Sequence, residues 1–461
     1  MNPLPEQPLS PLDGRYKAAV AGLGEHLSEA GLNRARVLVE VEWLLYLTDR
    51  ELFGSKRLEA EQARALRQVV ADFGQDDIDE LAELEATTRH DVKAVEYYVR
   101  RRLVALGLTD VEELTHFACT SEDVNNLSYA LTIHAAVRDV WLPRIHLLTN
   151  ALYVRADEHR SVPMLAHTHG QPATPTTVGK EFAVFVGRLR RIVAQVESTE
   201  YLGKFSGATG TFAAHVAADP TQDWPAISRE FVTSLGLSWN PLTTQIEPHD
   251  WQAELYQRIS HTNRVLHNLC TDIWTYISMG YFTQIPQAGT TGSSTMPHKI
   301  NPIRFENAEA NLELSSALLD SLAATLVTSR LQRDLTDSTT QRNVGVAIGH
   351  SVLALDNILR GLGEIAVNHE RLAEDLDGNW EILGEAIQTV IRAEVTAGRS
   401  SIADPYAMLK ELTRGRRVGA QELRDFVNAL DIGEDAKVRL AALTPAGYAG
   451  LASELVDYAA E

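Results

Sequence analysis

The sequence has little of the material from which disulfide-bonded or metal-held folds are built. Only two cysteines occur in 461 residues, Cys119 and Cys270, which excludes a disulfide framework or a cysteine zinc site and favours a reducing compartment. The N-terminal segment has no basic stretch followed by an apolar one, and no apolar run approaches the ~20 residues that span a bilayer. We therefore expect a cytoplasmic protein with neither a signal peptide nor a membrane span.

Basic charge is also scarce. The chain has 42 Lys and Arg against 62 Asp and Glu, a formal net charge of -20, which argues against a nucleic-acid partner because phosphate backbones attract basic patches. The acidic excess does not exclude a small anionic ligand, since a few local Arg and Lys side chains can outweigh the distant surface charge. A hydrophobic content of 44% is ordinary for a globular protein of this size.

The hydrophobic periodicity is helical along most of the chain. Leu312, Leu319, Leu322 and Leu326 lie on one stripe of a long helix, as bundle packing requires. We find no βαβ alternation and no strong run of alternating strands. Similar long helical stretches are predicted at about 125–160, 176–202, 249–282 and 341–370. The prediction is an all-α protein with an N-terminal helical domain, a central long-helix bundle and a small C-terminal helical domain, at residues 1–115, 116–368 and 369–461.

The strongest local signal is a polar, glycine-flanked loop before a helix that begins near Pro302. From its composition the loop is equally well interpreted as a surface linker, but a linker has no reason to combine Ser-Ser, Met-Pro, Lys and Asn in this order. Residues 292–302 read GSSTMPHKINP and resemble the signature of the fumarase/aspartase superfamily. The resemblance implies a homotetramer with a multi-helix core and anti elimination with fumarate as product. The glycines of the loop predict that it is mobile when empty and closes over bound substrate.

A second signal, residues 168–175, reads THGQPATP. His167 and His169 form a His-x-His pair, but a third ligand at useful spacing is missing, so we expect no metal site. A single histidine is more often structural than catalytic. The segment is similar to that of the adenylosuccinate lyases, whose histidine is the general acid, which implies this role for His169.

Further blocks favour the same family within the superfamily. Each has an ordinary interpretation when taken alone: Thr120 to Asp123 can cap a helix, and Arg15, Arg330 and Arg333 can be surface charges. Their joint occurrence favours the bacterial adenylosuccinate lyase pattern over the argininosuccinate lyase pattern. These blocks lie at residues 10–16, 87–97, 117–126, 244–250 and 329–338.

The resemblance also implies roles for individual residues. Ser293 corresponds to the base, although the sequence alone does not separate it from Ser294. His169 corresponds to the acid and His90 to a second active-site histidine, and no cofactor is implied. The implied substrate-binding residues are Arg15, Tyr16, Arg89, Asp91, Thr120, Ser121, Gln245, Lys299, Asn301, Arg333, Ser338 and Arg342.

The function implied is that of a carbon–nitrogen lyase of purine biosynthesis. Its small-molecule substrates would be adenylosuccinate, giving AMP and fumarate, and succinyl-aminoimidazole carboxamide ribotide (SAICAR), giving AICAR and fumarate. Three subunits of the tetramer would build each site. The alternatives are a sister lyase (argininosuccinate lyase, fumarase or aspartase) and a non-catalytic helical scaffold of the same fold. A scaffold should tolerate loss of the acid or the base, yet His169 and Ser293 are both present.

Overall fold

A computed structural model of the chain describes residues 7–286, 296, 299–413 and 418–460, and most of these residues are helical. The helices are α1 (Lys17–Leu27), α2 (Glu29–Asp49), α3 (Ala60–Ala71), α4 (Gln75–Thr88), α5 (Asp91–Ala105), α6 (Ser121–Ala136), α7 (Leu142–Glu158), α8 (Val178–Glu197), α9 (Ala213–Ala218), α10 (Trp224–Ser234), α11 (Asp250–Ser278), α12 (Ile303–Leu326), α13 (Thr336–Gln341), α14 (Val344–Gly363), α15 (His369–Asp377), α16 (Gly384–Thr396), α17 (Pro405–Thr413), α18 (Ala420–Ala429) and α19 (Glu434–Ala441). The strands are β1 (Pro163–Thr168), β2 (Gln171–Thr177), β3 (Leu202–Gly203), β4 (Ser238–Trp239), β5 (Phe282–Gln284) and β6 (Ile365–Val367).

The long helices lie where the periodicity predicts them, and the all-α fold class is confirmed. The predicted helix near Pro302 begins at Ile303, with Glu306 in its first turn. The four leucines of its predicted stripe are all buried, at 0 to 3% exposure. A π-helical turn, Val137–Trp141, lies between α6 and α7. It ends two residues before Pro143, whose missing N–H disturbs regular α-helical bonding.

The antiparallel β1–β2 hairpin is absent from the sequence prediction. Its register places Thr168 opposite Gln171, so His169 and Gly170 form a two-residue turn. Both turn residues have positive φ, 53° and 72°, as a type I′ turn requires. The hydrophobic pattern does not predict this strand, because β2 contains two prolines and the burial of its seven residues does not alternate.

Contacts between Cα atoms divide the chain into two compact units. The first comprises Met1–His146, Ile192–His267 and Ala308–Asp356, and its core includes Trp43 in contact with Phe205 and Phe231 at ring distances of 4.5 and 4.9 Å. The second comprises Leu147–Arg191, Asn268–Asn307 and Asn357–Glu461, and it contains the β1–β2 hairpin and the β5–β6 pair.

The C-terminal helices of the second unit have an apolar core of their own, which includes Leu383, Ile391 and Val427. The division into three domains at residues 115 and 368 stays a prediction. Among the described residues, no helix is long and apolar enough to cross a membrane.

Candidate active site

A continuous polar network in the first unit begins at Arg342. Its guanidinium donates to Asp91 Oδ2 at 3.0 Å and also pairs with Glu29. Asp91 Oδ2 accepts a second hydrogen bond, at 2.8 Å, from Arg36, which is 1% exposed. Arg36 Nε in turn donates to Asn125 Oδ1 at 2.9 Å. Arg36 therefore connects the first residue of α5 with the first turns of α6.

The network continues from α6 to two more predicted substrate-binding residues. Glu122 Oε1 accepts from Asn125 Nδ2 at 2.8 Å and from Arg333 at 2.9 Å. Arg333 also donates to Gln245 Oε1 at 3.1 Å, and Gln245 Nε2 donates to the carbonyl of Ala208 at 2.9 Å. Asp91, Arg342, Gln245 and Arg333 are thus brought into one network, although up to 251 positions of sequence separate them.

Two carboxylates of this network, Asp91 and Glu122, have opposite pKa shifts. Burial alone would raise the pKa of Asp91, but the charges of Arg36 and Arg342 and the N–H of Val92 hold it below its ordinary value. Burial raises the pKa of Glu122, and Arg333 and Asn125 offset this only in part. The site therefore holds one carboxylate that is firmly ionised and one that is costly to ionise.

Arg89 and His90 occupy the junction between α4 and α5. Arg89 ends α4 in the left-handed conformation, with φ 51°, and His90 is the N-cap of α5. His90 Nδ1 accepts the N–H of Lys93 at 3.3 Å, while the side chain is 53% exposed. Since Nδ1 acts as an acceptor, the neutral ring carries its proton on Nε2. His90 can therefore offer an Nε2–H donor while Nδ1 remains at the helix end.

Thr120 and Ser121 lie at the start of α6, which is held by hydrogen bonds and an ion pair of the buried Asp123. The N–H of Thr120 donates to Asp123 Oδ2 at 2.8 Å, so the predicted capping interpretation of this segment is correct as well. Asp123 also accepts the N–H groups of Ser206 and Gly207, at 2.8 and 3.1 Å. Lys204 Nζ lies 2.7 Å from Asp123 Oδ1, and both side chains are 0% exposed.

A second buried pair holds the segment that leads into Thr120. His116, with φ 57°, places Nδ1 2.6 Å from Oε1 of the buried Glu40. Burial lowers the pKa of His116, but the charge of Glu40 and the hydrogen bond to it raise the pKa more, so the net shift is upward. The charged pair therefore fixes an otherwise strained backbone next to the site.

Arg15, Tyr16 and Ser338 lie in the same unit. Tyr16 precedes α1 and donates its N–H to the carbonyl of Pro11 at 2.9 Å, while the guanidinium of Arg15 lies 5.9 Å from the Tyr16 ring. Ser338 lies in α13 and donates its N–H to Asp337 Oδ1 at 2.7 Å. Among the described residues, no hydrogen bond connects the exposed Arg15 side chain to the network.

The remaining predicted residues belong to the second unit. His169 is exposed at the tip of the β1–β2 hairpin, where the turn fixes its backbone. Lys299 has an exposed side chain and donates its N–H to the carbonyl of Met296 at 3.0 Å, and Asn301 is half-buried. Ser293, Ser294 and the predicted closing loop lie outside the described residues. Within the described part of the chain, no group of three or more His, Cys, Asp or Glu side chains is suited to hold a metal ion.

Sequence reasoning missed the residues that support the network. The sequence pattern does not distinguish Arg36, and it includes Glu122 and Asn125 only as members of a motif. A signal was present, because Glu122, Asp123, Asn125 and Asn126 form a polar run that continues directly into the apolar face of a helix. All four are buried, and buried polar side chains require partners. The identity of those partners depends on tertiary contacts.

Comparisons with known proteins cover nearly the whole chain. Residues 14–313 match the family described as lyase, and residues 329–449 match the family described as adenylosuccinate lyase C-terminal. The chain is 48% identical over 453 residues to adenylosuccinate lyase of Escherichia coli (strain K12), covering 97% of this chain and 98% of that protein. It is 47% identical over 451 residues to adenylosuccinate lyase of Haemophilus influenzae, with the same two coverages.

Solved structures agree at the level of the fold. A fumarate lyase from Mesorhizobium sp. BNC1 superposes with a TM-score of 0.74 at 20% identity, covering 95% of this chain and 97% of that one. A 3-carboxy-cis,cis-muconate lactonizing enzyme from Pseudomonas putida also gives a TM-score of 0.74, at 20% identity, with 95% and 96% covered. These fold neighbours and the near full-length relatives agree. The chain belongs to the adenylosuccinate lyase family of the fumarase/aspartase superfamily.

Proposed function

We propose that the chain is a carbon–nitrogen lyase that removes fumarate from adenylosuccinate, leaving AMP, and from SAICAR, leaving AICAR. The observation that carries this proposal is 48% identity, over 97% of the chain, to a protein named adenylosuccinate lyase. The match of residues 329–449 to the adenylosuccinate lyase C-terminal family favours this substrate over those of the sister lyases. The reaction would serve purine biosynthesis.

The elimination needs a base, an acid and groups that stabilise a dianionic intermediate. Ser293 would remove the proton from the carbon next to a carboxylate, with Lys299 helping to stabilise the serine alkoxide. His169 would protonate the departing nitrogen, since imidazole suits proton transfer near neutral pH. The exposed position of His169 on a conformationally defined turn supports this role. Proton transfers complete the reaction, so the proposal includes no cofactor and no metal.

The substrate carries two carboxylates and a phosphate, and cationic side chains would bind them. Arg333 and Arg342 are suited to this because guanidinium groups pair bidentately with planar anions. Arg342 is 39% exposed and bonded to Glu29 and Asp91, whereas Arg36 is buried. We infer that Arg342 exchanges partners to bind substrate while Arg36 keeps Asp91 in place. The other predicted binding residues are Arg15, Tyr16, Arg89, Asp91, Thr120, Ser121, Gln245, Lys299, Asn301 and Ser338, with His90 assisting near the phosphate and leaving group.

The proposed assembly is a homotetramer in the cytoplasm, with each active site built from three subunits. Exposed apolar side chains on the long helices support self-association: Leu147, Val154, Val184, Trp274 and Leu314 are 42 to 54% exposed. Light scattering on the purified protein should give four times the chain mass of 50.9 kDa. A mixture of His169→Ala and Ser293→Ala proteins should regain partial activity, and no recovery after proven subunit exchange would contradict shared sites.

The activity is tested by an absorbance assay of purified protein with adenylosuccinate, with product analysis for AMP and fumarate. His169→Gln should lower kcat by about 10² to 10⁴, the usual contribution of a general acid. His167→Gln is the matched control, because this half-buried histidine lies two residues earlier, on β1, and should retain activity. Turnover of argininosuccinate, malate or aspartate instead would favour a sister lyase. Absence of turnover with all of these substrates would favour a scaffold.

The assignment of the base has its own test. Ser293→Ala should abolish turnover while substrate binding, measured by calorimetry, changes little. Ser294→Ala should retain more activity than Ser293→Ala. The reverse order of the two variants would transfer the base role to Ser294.

A further inference from the structure

Four buried polar atoms without a hydrogen-bond partner lie close to the network of the first unit. They are Nδ1 and Nε2 of His249, Oδ2 of Asp337 and Nε of Arg333. His249 is 1% exposed and Asp337 6%. Burying a polar atom without a hydrogen-bond partner is unfavourable, so four such atoms near one another need an explanation. We call Glu122, His249, Arg333 and Asp337 the His249 cluster.

Hydrogen bonds hold the backbone of His249, whereas its imidazole and Oδ2 of Asp337 approach each other without forming a hydrogen bond. His249 has φ 64°, donates its N–H to Glu247 Oε2 at 2.8 Å, and accepts from Ala253 at the start of α11. Its Nε2 lies 3.5 Å from Asp337 Oδ2, which is longer than the usual hydrogen bond. A small movement of either side chain would close this bond.

The pair lies between the two segments that carry predicted substrate-binding residues. Gln245 precedes His249 by four positions in one segment. In the other, Arg333 precedes Asp337 by four positions and Ser338 follows it directly. Arg333 already donates to Gln245, so a closed bond between His249 and Asp337 would connect the same two segments a second time.

The electrostatics connect the pair to the carboxylate that binds Arg333. Burial is the main cause of the raised pKa of Glu122, and the charge of Asp337 raises this pKa further, whereas His249 lowers it. Since Glu122 accepts a hydrogen bond from Arg333 at 2.9 Å, a change at His249 or Asp337 acts on the partner of Arg333. The four members of the cluster are therefore coupled by charge as well as by position.

We propose that His249 and Asp337 are positioning residues that form a buried hydrogen-bonded dyad. The dyad closes when an anionic substrate engages Arg333, and it holds Gln245 and Ser338 at the substrate. Hydrogen bonds of catalytic sites commonly tighten in this way when substrate binds. The inference rests on the proposed lyase function, and neither residue contacts the substrate itself.

The test uses three variants of His249 in the full-length protein. His249→Gln places an amide donor near the position of Nε2, His249→Asn places one near Nδ1, and His249→Leu removes both nitrogens. We expect the Leu and Asn variants to raise KM for adenylosuccinate about tenfold, because they lose roughly the contribution of one hydrogen bond to a charged group. Their kcat should fall by a smaller factor. The Gln variant should restore KM to within about threefold of the unmodified protein. His261, which is exposed on α11, is the matched control for the same substitutions.

A second readout does not depend on turnover. In the presence of saturating adenylosuccinate, amide exchange of residues 333–342 should be faster in the Leu and Asn variants, and close to that of the unmodified protein in the Gln variant. Equal KM and equal exchange for Gln and Asn would overturn the dyad, even if the Leu variant fails to fold. An unmodified protein that does not turn over adenylosuccinate would refute the lyase proposal, and exchange would then decide the dyad alone.

Discussion

Replacing Lys204 by methionine removes a buried ammonium group and leaves Asp123 buried with its charge. Both side chains are 0% exposed and 2.7 Å apart. Removing one partner of a buried ion pair costs about 3–5 kcal/mol, because the remaining charge is desolvated and uncompensated. Asp123 keeps the N–H groups of Thr120, Ser206 and Gly207 as donors, so we expect a loss near the lower end, about 3 kcal/mol.

The loss should also lower activity, because the ion pair holds the start of α6. Lys204 Nζ donates to the carbonyl of Gly207 at 2.8 Å, so the substitution also releases the loop that contains Ala208, the acceptor of Gln245. We therefore expect KM for adenylosuccinate to rise together with the loss of stability. Local exchange at residues 204–210 should increase before the rest of the first unit unfolds.

The assay is urea unfolding followed by far-UV circular dichroism at one fixed protein concentration. Lys437→Met is the matched control, since Lys437 Nζ lies 2.9 Å from Glu434, but that carboxylate is 83% exposed. Exposed pairs contribute about 0–1 kcal/mol, so this control should hardly move the midpoint. If Lys204→Met changes the free energy of unfolding by no more than the control does, the reasoning about the buried pair is refuted.

Three further predictions concern separate parts of the chain. Because the pKa of His116 is raised above 6.5 by Glu40, the pair's stabilisation should be fully present below pH 6.5 and lost as the pH rises through the raised pKa. His116→Gln should remove this slope from urea midpoints measured between pH 6 and about 8. Gly210→Ala should lower the free energy of unfolding, measured with urea, by more than about 1 kcal/mol, since φ is +78° and the new Cβ would lie 2.2 Å from the Thr243 carbonyl oxygen. Leu383→Ala, at a fully buried core position, should cost about 2–5 kcal/mol in the same assay, and an unchanged midpoint would contradict the packing described.

The parts of the fold that were predictable are those encoded locally. The stripe from Leu312 to Leu326 predicts its helix because residues three or four positions apart lie on the same face of an α-helix. The β1–β2 hairpin has no such local signature, since its prolines break the strand pattern and its turn depends on His169 adopting a positive φ. The helices α8, α11, α12 and α14 could therefore be predicted, whereas α2, which is 21 residues long, and the hairpin are absent from the sequence prediction.

The candidate site divides in the same way. Motif resemblance identifies Gln245 and Arg333 individually, but nothing in the sequence indicates that they share a hydrogen bond across 88 positions. The residues that hold the network together are harder still to predict from the sequence, because Arg36 lies in the middle of α2 without a motif around it. It becomes recognisable only as a 1% exposed guanidinium with two partners on different helices.

If the proposed substrate binds at this network, a chain with a net charge of -20 must supply a positive potential there. His90 and Asp91 begin α5, and Thr120 and Ser121 begin α6, so the predicted binding residues lie at two helix N-termini. A helix N-terminus offers unpaired N–H groups and about half a positive charge. Arg36 connects the two helix starts through Asp91 and Asn125, and its positive charge offsets the negative charge of Asp91. Helix ends and arginines can thus supply a local positive potential without a glycine-rich phosphate loop, whatever the charge of the distant surface.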